Sequence, residues 1–247
     1  MTEYAPHGLF GLLTPQANTT AEIEAQILCP PGTAVLTARM TSMKDSMEAR
    51  LIDYVDRLER SAAQFANAPL AALGFACTGA SYLVKPDEER QRLDAIAESR
   101  GVPVITAADA ITEVLNEMGV RRIGVVSPYG DMLHTAGMRY WAARGFEIGP
   151  VERLTGRDAA FHPIYALRGN ASAAALAAID ANEIDAVMIL GTGLATLGTL
   201  LDRTGAPVLT PNLALVLRML RMAGLDAPLA PWLDGTAWAQ RYRDRMS

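Results

Sequence analysis

The segment Gly11-Leu12-Leu13-Thr14-Pro15-Gln16-Ala17-Asn18 returns in kind as Gly124-Val125-Val126-Ser127-Pro128-Tyr129-Gly130-Asp131, at an offset of 113. Each copy is an apolar run that ends in a small hydroxyl, a proline and a polar loop. Phe75-Ala76-Cys77-Thr78-Gly79-Ala80 is answered by Ile189-Leu190-Gly191-Thr192-Gly193-Leu194 at an offset of 114, and Gly101-Val102-Pro103-Val104-Ile105-Thr106 by Gly205-Ala206-Pro207-Val208-Leu209-Thr210 at 104. Solenoid repeats have periods of roughly 20 to 50 residues, so three ordered matches at this spacing describe two similar halves instead. The division is placed between residues 1–120 and 121–247.

Inside each half, short β-branched or apolar runs alternate with longer helical patterns, which is the signature of a parallel sheet with crossover helices. The fold class is α/β, with two pseudo-symmetric parallel-sheet halves and an active site in the cleft between them. Strands are expected at Leu9 to Thr14, Thr33 to Ala38, Ala71 to Ala76, Pro103 to Ile105, Ile123 to Ser127, Ala186 to Leu190 and Pro207 to Leu209. Most are continuous apolar runs suited to a sheet covered on both faces. The clearest helix follows Thr106, where Asp109 has capping-box spacing, Ile111, Val114, Leu115 and Met118 recur at helical spacing, and Gly119 supplies the stop.

Composition narrows the function. With 50% hydrophobic and 20% charged residues the chain is globular. Its 27 acidic and 22 basic residues are interspersed and sum to −5, leaving no basic face for nucleic acid. The uncharged stretch Ser61 to Val84 is broken by Gln64, Asn67, Pro69, Gly74 and Gly79, so it does not read as a membrane span. Cys29 and Cys77 are too few for a disulfide framework and no signal peptide is apparent, so a reducing cytoplasm is the expected setting. His7, His134 and His162 show no paired spacing, and no metal is expected.

In open α/β sheets ligands bind outside the carboxyl ends of the strands. That rule brings together the loops Pro15 to Asn18, Cys77 to Ser81, Pro128 to Asp131 and Gly191 to Leu194. Taken singly, each is equally readable as an ordinary strand-to-helix turn; their repetition favours a site. Cys77 starts a helix entry, where free amides lower a thiol's pKa and make it a nucleophile and proton carrier; the other reading is a buried cysteine acting as a small hydrophobe. Cys29, before a strand in Leu28-Cys29-Pro30-Pro31-Gly32, reads as structural. Amides after Cys77 and after Gly191, with the hydroxyls of Thr78, Thr192 and Ser81, form two facing donor clusters suited to carboxylate oxygens. No arginine or lysine lies in the four loops, so recognition by neutral donors is expected, as in an oxyanion hole. Asn18 and Tyr129 are candidate donors to a second carboxylate or an enediolate; the less favoured reading makes them turn residues, Asn18 above all as a helix cap before Thr19 and Thr20.

These residues resemble a known family. Leu13-Thr14-Pro15-Gln16-Ala17-Asn18-Thr19-Thr20, Thr37-Ala38-Arg39-Met40, Ala76-Cys77-Thr78-Gly79-Ala80-Ser81, Ser127-Pro128-Tyr129 and Gly191-Thr192-Gly193 are similar to the aspartate/glutamate racemase superfamily, within it to the maleate cis-trans isomerase and arylmalonate decarboxylase branch. The resemblance spans Gly11 to Gly224. It implies a cofactor-independent enzyme acting on a small carboxylate or dicarboxylate, with catalytic cysteine positions at Cys77 and Gly191 and substrate contacts from Pro15, Gln16, Asn18, Thr78, Gly79, Tyr129, Gly191, Thr192 and Gly193.

Gly191 has no side chain, which disfavours a two-thiol racemase. The resemblance leaves an isomerase in which Cys77 adds to a double bond, a decarboxylase in which Cys77 protonates an enediolate, and a carboxylate-binding protein without turnover. The Pro15 to Thr20 and Thr37 to Met40 segments favour the isomerase. Phe161, His162, Ile164 and Tyr165 are expected to shape the pocket, helix Leu213 to Met222 to be core, and the tail with Trp232 and Trp238 to dock on its own chain. Self-association fits the family type but follows from no residue pattern.

Overall fold

The computed structural model describes residues 2–154, 163–167, 169–201 and 203–247. The chain runs β1 (Gly8–Pro15), α1 (Ala21–Leu28), β2 (Thr33–Met40), α2 (Met47–Asp56), α3 (Leu58–Ala62), β3 (Ala72–Phe75), α4 (Thr78–Ser81), α5 (Pro86–Arg100), β4 (Val104–Thr106) and α6 (Ala107–Glu117). It continues through β5 (Arg122–Ser127), α7 (Asp131–Ala143), β6 (Glu147–Arg153), α8 (Gly169–Ala178), β7 (Ala186–Ile189), α9 (Leu197–Leu200), β8 (Val208–Leu209), α10 (Pro211–Met222), α11 (Leu229–Leu233) and α12 (Ala239–Met246). Two parallel sheets result, ordered β2-β1-β3-β4 and β6-β5-β7-β8. The second order is the first repeated, as the sequence repeat requires.

Inner strands are apolar throughout because helices cover both faces: β3 and β7 are buried at every position. The α5 helix carries Pro86 in its first turn, Asp87, Glu88 and Glu89 after it, and a left-handed Gly101 beyond its end. At α6, Thr106 Oγ1 accepts from Asp109 N at 2.9 Å. The α10 helix lies against β3, β4 and α6. Gly74 permits that approach, since a Cβ there would stand 2.6 Å from the Met219 sulfur.

The seven expected strands all form, and an eighth, β6, joins them. Gly149, Pro150 and three charged residues hid it, but β6 is an edge strand, where proline costs no ladder bond. The 114 offset of the repeat carries Thr33, the start of β2, onto Glu147. The tail docks on its own chain: Trp232 and Trp238 are buried, and Arg241 donates to the Ile27 and Leu28 carbonyls at the end of α1 at 2.6 and 2.9 Å. Among the described residues no helix is long and apolar enough to cross a membrane.

Candidate active site

The four loops meet between the sheets, and the hydrogen bonds that join them cross from one sheet to the other. Asn18 Nδ2 donates to Thr192 Oγ1 at 3.1 Å, and Thr192 Oγ1 donates to the Ala76 carbonyl at 2.9 Å. Thr20 Oγ1 donates to the Gly193 carbonyl at 2.9 Å, and the Thr78 and Tyr129 hydroxyls share a bond of 3.0 Å. Pro15, Asn18, Cys77, Thr78, Gly79, Tyr129, Thr192 and Gly193 all line the enclosed cavity. So do Ile164 and Tyr165, the two pocket-shaping positions that fall among the described residues; Phe161 and His162 lie outside them. The cavity measures about 30 Å³, so a substrate enters only as its walls part.

Three expectations are corrected. Gln16 turns away from the cavity and accepts from Ser42 N at 2.7 Å. The hydroxyls of Ser81 and Thr192 donate to Glu89 Oε1 at 2.7 Å and to the Ala76 carbonyl at 2.9 Å instead of offering hydrogens to the cavity. The Cys77 thiol is not acidic in this state: burial pushes it up to about 12, outweighing the Ala80 and Gly79 amides that pull it down, with Glu89 adding to the rise. Its residue is 5% exposed, and among the described residues no arginine or lysine lines the cavity to offset desolvation. Cys29 is also buried, at about 11 for the same reason.

Gly191 stands behind the cavity wall with φ of +89°, and a Cβ on it would fall 2.4 Å from Ile164 Cδ1 and 3.1 Å from Pro128 Cγ. Gly191 itself does not line the cavity, and the space a side chain on it would take is filled by aliphatic carbon. Asn18 serves both its readings: Oδ1 accepts from Thr20 N and Ala21 N at 2.9 and 3.0 Å, leading the chain into α1, while Nδ2 faces Thr192. Asn18→Asp keeps the two turn bonds, removes the donor and adds charge beside the site. We expect at least about a 100-fold loss of turnover and a lowered melting temperature, since the new carboxylate is buried against a Thr192 hydroxyl that already donates to Ala76; wild-type turnover would remove Asn18 from the site.

Sequence reasoning missed Met47, Leu51 and Tyr54 on α2 and Leu133 on α7, which complete the lining; on an amphipathic helix such residues look like core. It also missed a symmetric pair of arginines. Arg39 donates to the Asn18 carbonyl at 2.5 Å and pairs with Glu22, while Arg153, 114 residues on, donates to the Tyr129 carbonyl at 3.1 Å and pairs with Asp131. Each sits in register with the hydroxyl residue that closes the neighbouring strand, Thr14 or Ser127. Finding the pair required β6.

Glu89 is the buried carboxyl beneath α4. Burial holds its pKa at about 7 against the Ser81 hydroxyl, with Asp109 adding to the rise and Arg144 and Arg90 opposing it. Because that lies above the ordinary 4.5, the folded state binds this proton more tightly than the unfolded chain. The stability it confers is complete below about pH 4.5 and is lost as pH rises through 7. Glu89→Gln keeps an acceptor for Ser81 and is expected to melt higher than wild type at pH 8, by on the order of 1 to 3 kcal/mol, with no difference at pH 4. Equal melting at pH 8 would contradict the burial argument. Among the described residues no group of three or more His, Cys, Asp or Glu side chains is placed to hold a metal.

The arylmalonate decarboxylase family model matches residues 10–231. A maleate isomerase of Pseudomonas putida is 27% identical over 236 residues, covering 90% of this chain and 93% of that protein. A Nocardia farcinica maleate cis-trans isomerase, solved as a cysteine-to-serine variant with a covalently bound succinylcysteine intermediate, superposes with a TM-score of 0.77 at 24% identity over 94% of this chain and 98% of that one. An arylmalonate decarboxylase variant with one glycine changed to cysteine and one cysteine to serine, in liganded form, gives 0.70 at 18% over 87% and 92%. These likenesses are of fold, and the family match covers most of the chain: it belongs to the arylmalonate decarboxylase family.

Proposed function

We propose that this chain is a cofactor-independent cis-trans isomerase of a small dicarboxylate, with maleate as substrate and Cys77 as nucleophile. The observation that carries the reading is one thiol set between two clusters of neutral donors, contributed by loops of both sheets and, among the described residues, lined by no cation. The two carboxylates would lie one on each cluster: the Thr78 and Gly79 side with Tyr129, and the Thr192 and Gly193 side with Asn18.

As the walls part, water and the substrate reach Cys77; the thiol passes its proton to water, and the thiolate adds to one alkene carbon, the proton returning to sulfur when the thiolate is expelled. The π electrons move to the far carboxylate, which becomes an enediolate held by the second cluster; that charge exists only along the reaction, so donors placed for it raise the rate. The former double bond is now single and rotates. Collapse of the enediolate re-forms the alkene as the trans isomer and expels the thiolate, with no proton entering or leaving carbon. The maleate isomerase relative supports the reaction, and the succinylcysteine on the Nocardia enzyme supports its first step, formation of a sulfur–carbon bond between a cysteine and the former alkene.

The family name keeps a second reading, supported by the Ile164 side chain, which leaves no room for a second thiol at Gly191. With one proton carrier, a malonate would lose carbon dioxide, leave an enediolate on the donors, and take its proton from Cys77 alone, giving one enantiomer. The test is turnover of maleate and of an arylmalonate side by side. Fumarate formation alone supports the isomerase; carbon dioxide release alone replaces it with the decarboxylase; tight binding of either acid without reaction leaves a carboxylate-binding protein.

A further inference from the structure

Glu24 lies on α1, 4% exposed and outside the catalytic cavity. Its Oε1 accepts the backbone N–H of Thr196 at 2.6 Å and of Leu197 at 3.1 Å, with the Thr196 hydroxyl at 3.2 Å. Its Oε2 accepts Asn212 Nδ2 at 2.7 Å. The two amides and Asn212 Nδ2 can only donate, so three of the four partner groups favour the ionised carboxylate over the neutral acid. Burial pushes the Glu24 pKa up, and these donors oppose it. A buried anion held without a cation is costly, and an apolar or amide side chain would fill the space more cheaply.

The cost has a counterpart in what the carboxylate holds. Residues 191–196 lie between β7 and α9 with no sheet or helix ladder to fix them, and this is the loop that presents Thr192 and Gly193 to the cavity. Asn212 donates with the same nitrogen to the Thr192 carbonyl at 3.0 Å, so Glu24, Asn212 and Thr192 form one chain of contacts that ends at Ala76, next to Cys77. We propose that Glu24 is a positioning residue: an internal anion that fixes the loop of the second half so that its amides are aimed before substrate arrives. The proposal rests on the reading of this cavity as the active site and adds the group that organises one of its two donor clusters.

The test uses Glu24→Gln and Asn212→Ala in the full chain, with maleate turnover and amide hydrogen exchange as readouts. In Glu24→Gln one of the two carboxylate oxygens becomes an NH2 group facing donors, so the Thr196 and Leu197 amides should exchange at least about tenfold faster. Misaiming by a fraction of an ångström costs rate more than binding, so kcat should fall about 100-fold while KM stays within about threefold. Asn212→Ala removes the link to Thr192 together with the donor on Glu24 Oε2, leaves the Thr196 and Leu197 bonds to Glu24 in place, and should give the same pattern at about tenfold. A kcat within threefold of wild type in both variants overturns the proposal, as does unchanged exchange in Glu24→Gln. If Glu24→Gln does not fold, Asn212→Ala decides: wild-type kcat in it is the overturning result. If the wild type does not turn over maleate, the functional reading fails, and the exchange experiment still judges the positioning claim by itself.

Discussion

Cys77→Ser is expected to lower maleate turnover by on the order of 10⁴-fold or more while the protein remains folded. The hydroxyl fits where the thiol sits and can accept from the same Gly79 and Ala80 amides, so thermal unfolding followed by circular dichroism should shift by no more than about 3 °C. Chemistry is lost because a serine hydroxyl at this site has no base to ionise it and no comparable nucleophilicity. The same thiol fixes a pH dependence. With burial holding it at about 12, the thiolate fraction of the free enzyme grows about tenfold per pH unit from 7 to 9. The kcat/KM of the wild type should therefore climb through that range, and a plateau below pH 8 would show that opening of the cavity lowers the thiol more than its amides do in the closed state. Residual activity above about 1% in Cys77→Ser would take the nucleophile away from this residue.

Gly191→Cys is expected to produce a weaker protein and no two-thiol enzyme. A φ of +89° costs a side chain roughly 1 to 2 kcal/mol, and a Cβ 2.4 Å from Ile164 adds an overpacking cost of about 1 to 3 kcal/mol. Together they amount to a fall in melting temperature of roughly 5 to 15 °C for a chain of this size. Ile164→Ala in the same chain should recover part of that loss by removing the contact, and none of the part due to backbone. A single variant that melts within 2 °C of wild type would show that the wall around Gly191 is soft.

The architecture was legible because it was written twice. Two copies of an apolar run, a hydroxyl and a proline located the central strands of both sheets, and strand-end glycine and threonine located the loops. The edge strand β6 was not legible by itself, since Gly149, Pro150 and its charges are admissible only with one neighbour strand, a fact of sheet position. At the site, residue type and spacing selected Cys77, Thr78, Tyr129 and Thr192, because backbone turns at strand ends are local. Gln16 was misplaced for the converse reason: its neighbours share the loop, but its side chain direction follows from Ser42, 26 residues away. The rise of the Cys77 thiol depends on how tightly Met47, Tyr54, Ile164 and Tyr165 close over it, and closure is a tertiary property. Glu24 looked like one more charge on the first turn of a helix, and only the fold carries Thr196, Leu197 and Asn212 to it.

The central claim is that one thiol adds to and leaves a double bond with no proton transfer to carbon. A proton NMR time course of maleate in D2O with the wild type tests it. The account expects fumarate whose vinyl positions carry no deuterium, and no product with Cys77→Ser. Deuterium on carbon in the product, or fumarate formed equally by the Cys77→Ser variant, would contradict it.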